Sequence, residues 1–103
     1  MICALIPTYN NEKTIADIVE RTLAQVPTVL VVNDGSTDST ETILAKLTRE
    51  HEQLVVLTLP CNKGKGFALK SGFQKARELG FSHVLTLDAD GQHFPEDIPE
   101  LLH

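Results

Sequence analysis

The chain has no tryptophan, one tyrosine and four phenylalanines among 103 residues, so its core has to be built from aliphatic side chains. Positive charge is also scarce. Nine lysines and arginines against fourteen aspartates and glutamates leave a formal net charge of −5, with no basic stripe. That balance, together with so few rings on which bases could stack, excludes nucleic acid as a partner. No apolar run approaches the roughly 20 residues needed to span a bilayer. Met1 leads straight into a β-rich run rather than a signal peptide, so a cytoplasmic chain is expected. Cys3 and Cys61 have no metal-type spacing and sit beside apolar runs, which points to reduced thiols.

The residues present suffice for one modest core: 42% are hydrophobic, and a chain of this length buries roughly 60–70% of its extended surface. Four short apolar runs punctuate it. Ile2 to Ile6 ends at Pro7, Val29 to Val32 at Asn33-Asp34-Gly35-Ser36, Leu54 to Leu59 at Pro60, and Val84 to Leu87 at Asp88-Ala89-Asp90-Gly91-Gln92-His93. The first, short and continuous, suits a strand buried on both faces, and the other three read as further strands.

Between them the period changes. Ile15, Ile18, Val19, Thr22, Leu23 and Val26 fall at helical spacing, closed by Pro27, with Asn11 as the expected N-cap. Asp38 with Glu41 three residues on predicts a second helix start, with Ile43, Leu44 and Leu47 inside. A third helix is predicted from about Phe67 to Leu79, its inner face Ala68, Gly72, Phe73 and Ala76 and its stop Gly80. Asp97, Glu100 and Pro99 predict the start of a last one. The order βαβαβαβ implies an α/β fold: a Rossmann-like parallel sheet with helices on both faces, because parallel neighbours need crossovers. Ligands of such sheets bind beyond the carboxyl ends of the strands, where strand order reverses. The unusual polar residues of this chain gather in those four loops.

Asp88 and Asp90 sit at alternate positions. If the strand conformation persists, they share a side and repel each other unless a cation or donors intervene. As a plain turn they would need no ligand. As a site, they suit a hard cation such as Mg²⁺ or Mn²⁺ completed by substrate phosphates, with the Gln92 amide oxygen as a further ligand. Tyr9 either packs in the core or offers a flat face to a base. Asp34 is either an Asp-Gly turn residue or an acceptor for a base or ribose. Ser36, Thr37, Asp38 and Ser39 are capping residues. In Asn62-Lys63-Gly64-Lys65-Gly66, glycines and a helix start invite a phosphate, with Lys63 or Lys65 meeting a diphosphate or simply facing water. It matches neither a Walker loop nor a dinucleotide fingerprint. His93 is turn-like, and His51, His83 and His103 have no ligand spacing.

These stretches resemble the family 2 nucleotide-sugar glycosyltransferases of the GT-A fold. Ile6-Pro7-Thr8-Tyr9-Asn10-Asn11-Glu12, Val32-Asn33-Asp34-Gly35-Ser36-Thr37-Asp38 and Asn62-Lys63-Gly64-Lys65-Gly66 are similar to three of the family's signatures, and Leu87-Asp88-Ala89-Asp90 to its Asp-x-Asp motif. Gln92-His93 with Pro95-Glu96-Asp97 is similar to the polyprenyl-phosphate sugar synthase branch. The resemblance implies an inverting, metal-assisted transfer from a UDP-, GDP- or dTDP-sugar to a lipid phosphate or glycan. In the lipid case, the work would be done at the inner face of a membrane.

By position, Pro7, Tyr9, Glu12 and Asp34 would hold the nucleoside, with Lys65 and Asp88 also on the nucleotide. Asp88, Asp90 and Gln92 would hold Mg²⁺ or Mn²⁺, with Asp90 and Gln92 the closer ligands. Any catalytic base would lie downstream of the Asp-x-Asp segment, so residues 1–103 are expected to be the donor-binding part of one domain, binding donor but transferring sugar poorly alone. A haloacid-dehalogenase-like phosphatase, whose Asp-x-Asp ends its first strand, a nucleotidyltransferase, which needs a glycine-rich first loop, and a non-catalytic nucleotide-binding module are the alternatives.

Overall fold

The computed structural model describes residues 2–89. The seven elements alternate as expected: β1 (Ile2–Thr8), α1 (Ile15–Leu23), β2 (Val29–Asn33), α2 (Thr40–Glu50), β3 (Leu54–Thr58), α3 (Lys65–Glu78) and β4 (His83–Thr86). The expected last helix at Asp97, and Asp90, Gln92 and His93, lie outside the described residues. All strands pair in parallel, in the order β3-β2-β1-β4.

Alternation along the central strands builds two cores. Ala4 and Ile6 of β1 and Val29 and Val31 of β2 face α1 and α2, meeting Ile15, Ile18, Val19, Leu44 and Leu47. Cys3, Leu5, Leu30 and Val32 face the other way, against Ala68 and Ala76 of α3. Helices therefore cover both faces, and β1 and β2 are apolar without alternation because neither side meets water. Cys3 is a free thiol in that second core, and burial pushes its pKa up. No helix among the described residues is long and apolar enough to cross a membrane.

The seat of α3 is a stripe of small residues, Ala68, Gly72 and Ala76, all buried. A Cβ on Gly72 would come within 2.4 Å of Leu5 Cδ1 and 3.0 Å of Val32 Cγ2. Glycine is what lets the helix axis lie this close to the sheet. Alanine would gain about 1 kcal/mol of helix propensity but overpack a core in which such insertions cost about 1–3 kcal/mol. Gly72→Ala is therefore expected to lower the urea midpoint, and to do so less in a Leu5→Val background, where the collision is relieved.

Three local expectations are corrected. Phe73 is not on the inner face; it is 46% exposed. It lies about 100° around the helix from Gly72, off the stripe and one turn on from Leu69, which sits nearer the stripe on the same side and packs partly buried. Helix α3 also starts earlier than expected, at Lys65 after Gly64, whose φ is 96°. Its end is as expected: Gly80, at φ 89°, gives its N–H to Arg77, and Phe81 gives its own to Ala76, a Schellman closure. Finally, Asn11 does not cap α1 with its side chain. Its Oδ1 turns back to accept from the Thr8 hydroxyl at 2.7 Å and the Tyr9 N–H at 3.1 Å, and the helix begins at Ile15.

Candidate nucleotide site

The chain runs outward from β1 through β2 to β3, then returns over the sheet along α3 to add β4 on the far side of β1. Strand order thus reverses between β1 and β4, which opens a crevice beyond their carboxyl ends. The register brings the ends level: Thr8 opposite Asn33, Asn33 opposite Thr58, and Thr86 opposite Leu5, so that Asp88 emerges beside the end of β1.

A cavity of about 280 Å³ lies there. Pro7, Thr8, Tyr9 and Asn11 line it from the end of β1, Asp34 from the end of β2, Asn62, Gly64, Lys65 and Ala68 from the start of α3, and Asp88 and Ala89 from the segment after β4. Five of the six residues expected on the nucleotide are therefore brought together: Pro7, Tyr9, Asp34, Lys65 and Asp88. Glu12 is not. Its Oε2 accepts the Ser39 N–H at 3.2 Å, which ties it to the start of α2, away from this cavity.

Each polar wall has a structural cause. Leu87 and Ala89 are buried against the α1 side of the sheet, and the Thr14 hydroxyl donates to the Ala89 carbonyl at 2.6 Å. With its neighbours held so, Asp88 faces the cavity, where its Oδ1 takes the Lys65 ammonium at 2.6 Å. Tyr9 is 43% exposed at the edge of the cavity, so it is not a core residue. Its loop is pinned to the next one through Asn10, whose φ is 53°. The Asn10 Oδ1 accepts from the Thr37 and Asp38 N–H groups, and the Ser36 hydroxyl accepts the Asn10 N–H.

Asp38 takes part in the same seam, accepting from the Thr40 and Glu12 N–H groups. Slight desolvation raises its pKa, but hydrogen bonds from Thr40 and from the Glu12 N–H outweigh this and hold the carboxyl below its ordinary value. Ser39 rather than Asp38 occupies the N-cap position of α2, one residue later than expected.

Asp34 is the most committed residue of the site. Only 3% exposed, its carboxylate accepts from the Lys63 N–H at 2.8 Å, the Gly64 N–H at 2.9 Å and the Asn62 Nδ2 at 3.2 Å. It clamps the loop that starts α3. The loop comes so near that a Cβ on Gly35, φ 68°, would sit 2.3 Å from the Cys61 carbonyl carbon. Reasoning from the sequence missed Asn62 and Asn10 as organisers of the site. Both are asparagines in turn-like stretches, which is a signal only for a local turn.

Sheet order and the switch-point cavity together define an α/β fold of the GT-A kind. The chain belongs to glycosyl transferase family 2, whose pattern matches residues 3–103. Among curated relatives, it is 35% identical to the UDP-N-acetylglucosamine–dolichyl-phosphate N-acetylglucosaminyltransferase of Methanococcus voltae, covering 99% of this chain and 46% of that protein. It is 32% identical to the undecaprenyl-phosphate 4-deoxy-4-formamido-L-arabinose transferase of Yersinia pestis, covering 99% and 32%. The chain thus spans less than half the length of these relatives.

Among solved structures, S. aureus TarS 1-349 in complex with UDP superposes with a TM-score of 0.74 at 28% identity, covering 98% of this chain and 30% of that 1-349 chain. The Pyrobaculum calidifontis mannosyltransferase PcManGT in complex with GDP-Man and Mn²⁺ gives 0.74 at 25% identity, covering 86% and 27%. The phosphatase and nucleotidyltransferase alternatives do not fit this family, and here the Asp-x-Asp segment follows the fourth strand, not the first.

Proposed function

We propose that residues 1–103 form the donor-binding part of an inverting glycosyltransferase that takes a sugar from a nucleoside-diphosphate sugar and delivers it to a lipid phosphate at a membrane surface. The observation that carries this is the switch-point cavity, which groups an exposed ring, Tyr9, with a cation and a carboxylate, Lys65 and Asp88, in a family 2 chain. The lipid acceptor is supported by relatives named for dolichyl phosphate and undecaprenyl phosphate. The base would lie against Tyr9 and Pro7, and the diphosphate between the start of α3 and Asp88.

The donor chemistry fits a hard divalent cation. Among the described residues no three acidic, His or Cys side chains converge. Mg²⁺, however, commonly takes one or two carboxylates and leaves the rest to substrate phosphates and water. Asp88 stands at the cavity wall, and we assign it, with Asp90 and Gln92 two and four positions on in sequence, as a ligand for Mg²⁺ or Mn²⁺. When bound, the cation would neutralise charge building on the leaving nucleoside diphosphate. Pro7, Tyr9 and the clamped loops hold the donor still, which is their share of the catalysis.

Titration calorimetry with UDP, GDP and dTDP, with and without Mn²⁺, tests the reading. One nucleotide should bind best, Mn²⁺ should tighten it about tenfold, or ~1.4 kcal/mol, and Asp90→Ala should remove that increment. Binding indifferent both to Mn²⁺ and to Asp90→Ala would overturn it. Turnover of the donor by the whole enzyme separates a transferase from a binding module.

A further inference from the structure

We infer that Lys65 is a built-in counter-cation for Asp88, and that it makes divalent-cation binding conditional on the nucleoside diphosphate. Lys65 and Asp88 lie 23 residues apart and line one cavity, with the ammonium 2.6 Å from the Asp88 Oδ1. One oxygen of the carboxylate expected to serve the metal is therefore already paired with a positive charge. A cation arriving alone must displace or crowd that ammonium.

The geometry makes the exchange easy. Lys65 opens α3, and the N–H of Gly64 immediately before it is fixed on Asp34 Oδ2 at 2.9 Å. The backbone is thus anchored while the four-carbon stem stays mobile, its side chain 62% exposed against 25% for Asp88. A lysine–carboxylate pair this open to solvent is weakly held. A compact ammonium on a flexible stem can change partners without moving the backbone.

When a diphosphate enters, its oxygens offer Lys65 a second anion next to a first helical turn that holds no acidic residue. Release of Asp88 then favours the cation, and the cation in turn favours the diphosphate. The two ligands are coupled, and the coupling is reciprocal by linkage. The part played by the diphosphate rests on the nucleotide reading above; the competition for Asp88 does not.

The test is the affinity of the chain for Mn²⁺ alone, followed by the electron paramagnetic resonance signal of the free ion. Lys65→Met keeps the length of the stem and drops the charge. It should tighten Mn²⁺ about three- to fivefold, the scale of an exposed ion pair. Lys63→Met removes the same charge two positions earlier and should change Mn²⁺ affinity far less. Placing Lys65→Met on an Asp88→Asn background should abolish its effect, as a cycle between coupled residues requires.

Adding UDP or GDP should tighten Mn²⁺ on the wild type more than on Lys65→Met. Equal Mn²⁺ affinity for wild type and Lys65→Met, or an equal gain from Lys63→Met, overturns the inference. Failure of every nucleotide to bind the wild type would overturn the donor-site reading instead, and leave the Mn²⁺ comparison to decide the role of Lys65.

Discussion

Gly35→Ala is expected to destabilise the fold by about 3 kcal/mol, the sum of about 1–2 for a left-handed backbone conformation that alanine resists and about 1–3 for overpacking. The overlap is with backbone, which cannot rotate away. The new Cβ would stand 2.3 Å from the Cys61 carbonyl carbon, 2.4 Å from the Asn62 nitrogen and 2.7 Å from the Cys61 Cα. Either the β2–α2 turn or the β3–α3 loop has to move, and moving the loop pulls Lys63 and Gly64 off Asp34. For a domain whose whole stability is on the order of 5–15 kcal/mol, this is a severe loss. Urea unfolding followed by circular dichroism reads it directly.

Gly35→Asn separates the two terms, because asparagine tolerates the left-handed region better than alanine but still carries a Cβ. It should recover part of the loss and no more. A Gly35→Ala variant within about 0.5 kcal/mol of wild type, the range of ordinary surface changes, would mean that the two loops do not meet as described.

What could be read from the sequence followed the range of each interaction. The strands were legible because β1 and β2 lie between two helical layers, so Ala4, Leu5, Ile6 and the run Val29 to Val32 need no polar face. The stop at Gly80 was legible because a Schellman closure involves only neighbours in sequence. The start of α3 was not. Gly66 inside the first turn argues against a helix by propensity, yet the clamp from Asp34 fixes the Gly64 N–H and the helix begins at Lys65.

The candidate site divides in the same way. Its location followed from the loops at the carboxyl ends of the strands, and the family from four motifs in order. The partners inside it did not. Asp34 and Asn62 are 28 residues apart, Asn10 and Thr37 27 apart, and Lys65 and Asp88 23 apart. Such pairs exist only once strand order is known, and alternation of elements does not fix that order. Glu12 shows the same limit from the other side. The family resemblance placed it on the nucleoside, whereas its carboxylate accepts the Ser39 N–H at the start of α2.

Asp34→Asn should distinguish a residue that only touches the ligand from one that builds its cavity. Asparagine keeps the shape but replaces one acceptor oxygen with an NH₂ donor and removes the charge. Three donors now converge on the carboxylate: the N–H groups of Lys63 and Gly64 and the Asn62 amide. At least one of them must then face another donor. Leaving a buried donor unpaired costs about 1–3 kcal/mol, and bonds to a charged acceptor stand at the upper end of that range.

The expected result is therefore a stability loss of about 2–3 kcal/mol in the same urea experiment, accompanied by weaker nucleotide binding because Lys65 rides on the released loop. Asn62→Ala removes only one of the three donors and should cost about 1 kcal/mol. If Asp34 served the nucleotide alone, affinity would fall while the urea midpoint stayed put. A carboxylate that is 3% exposed and shared among three donors of one loop predicts that the two move together.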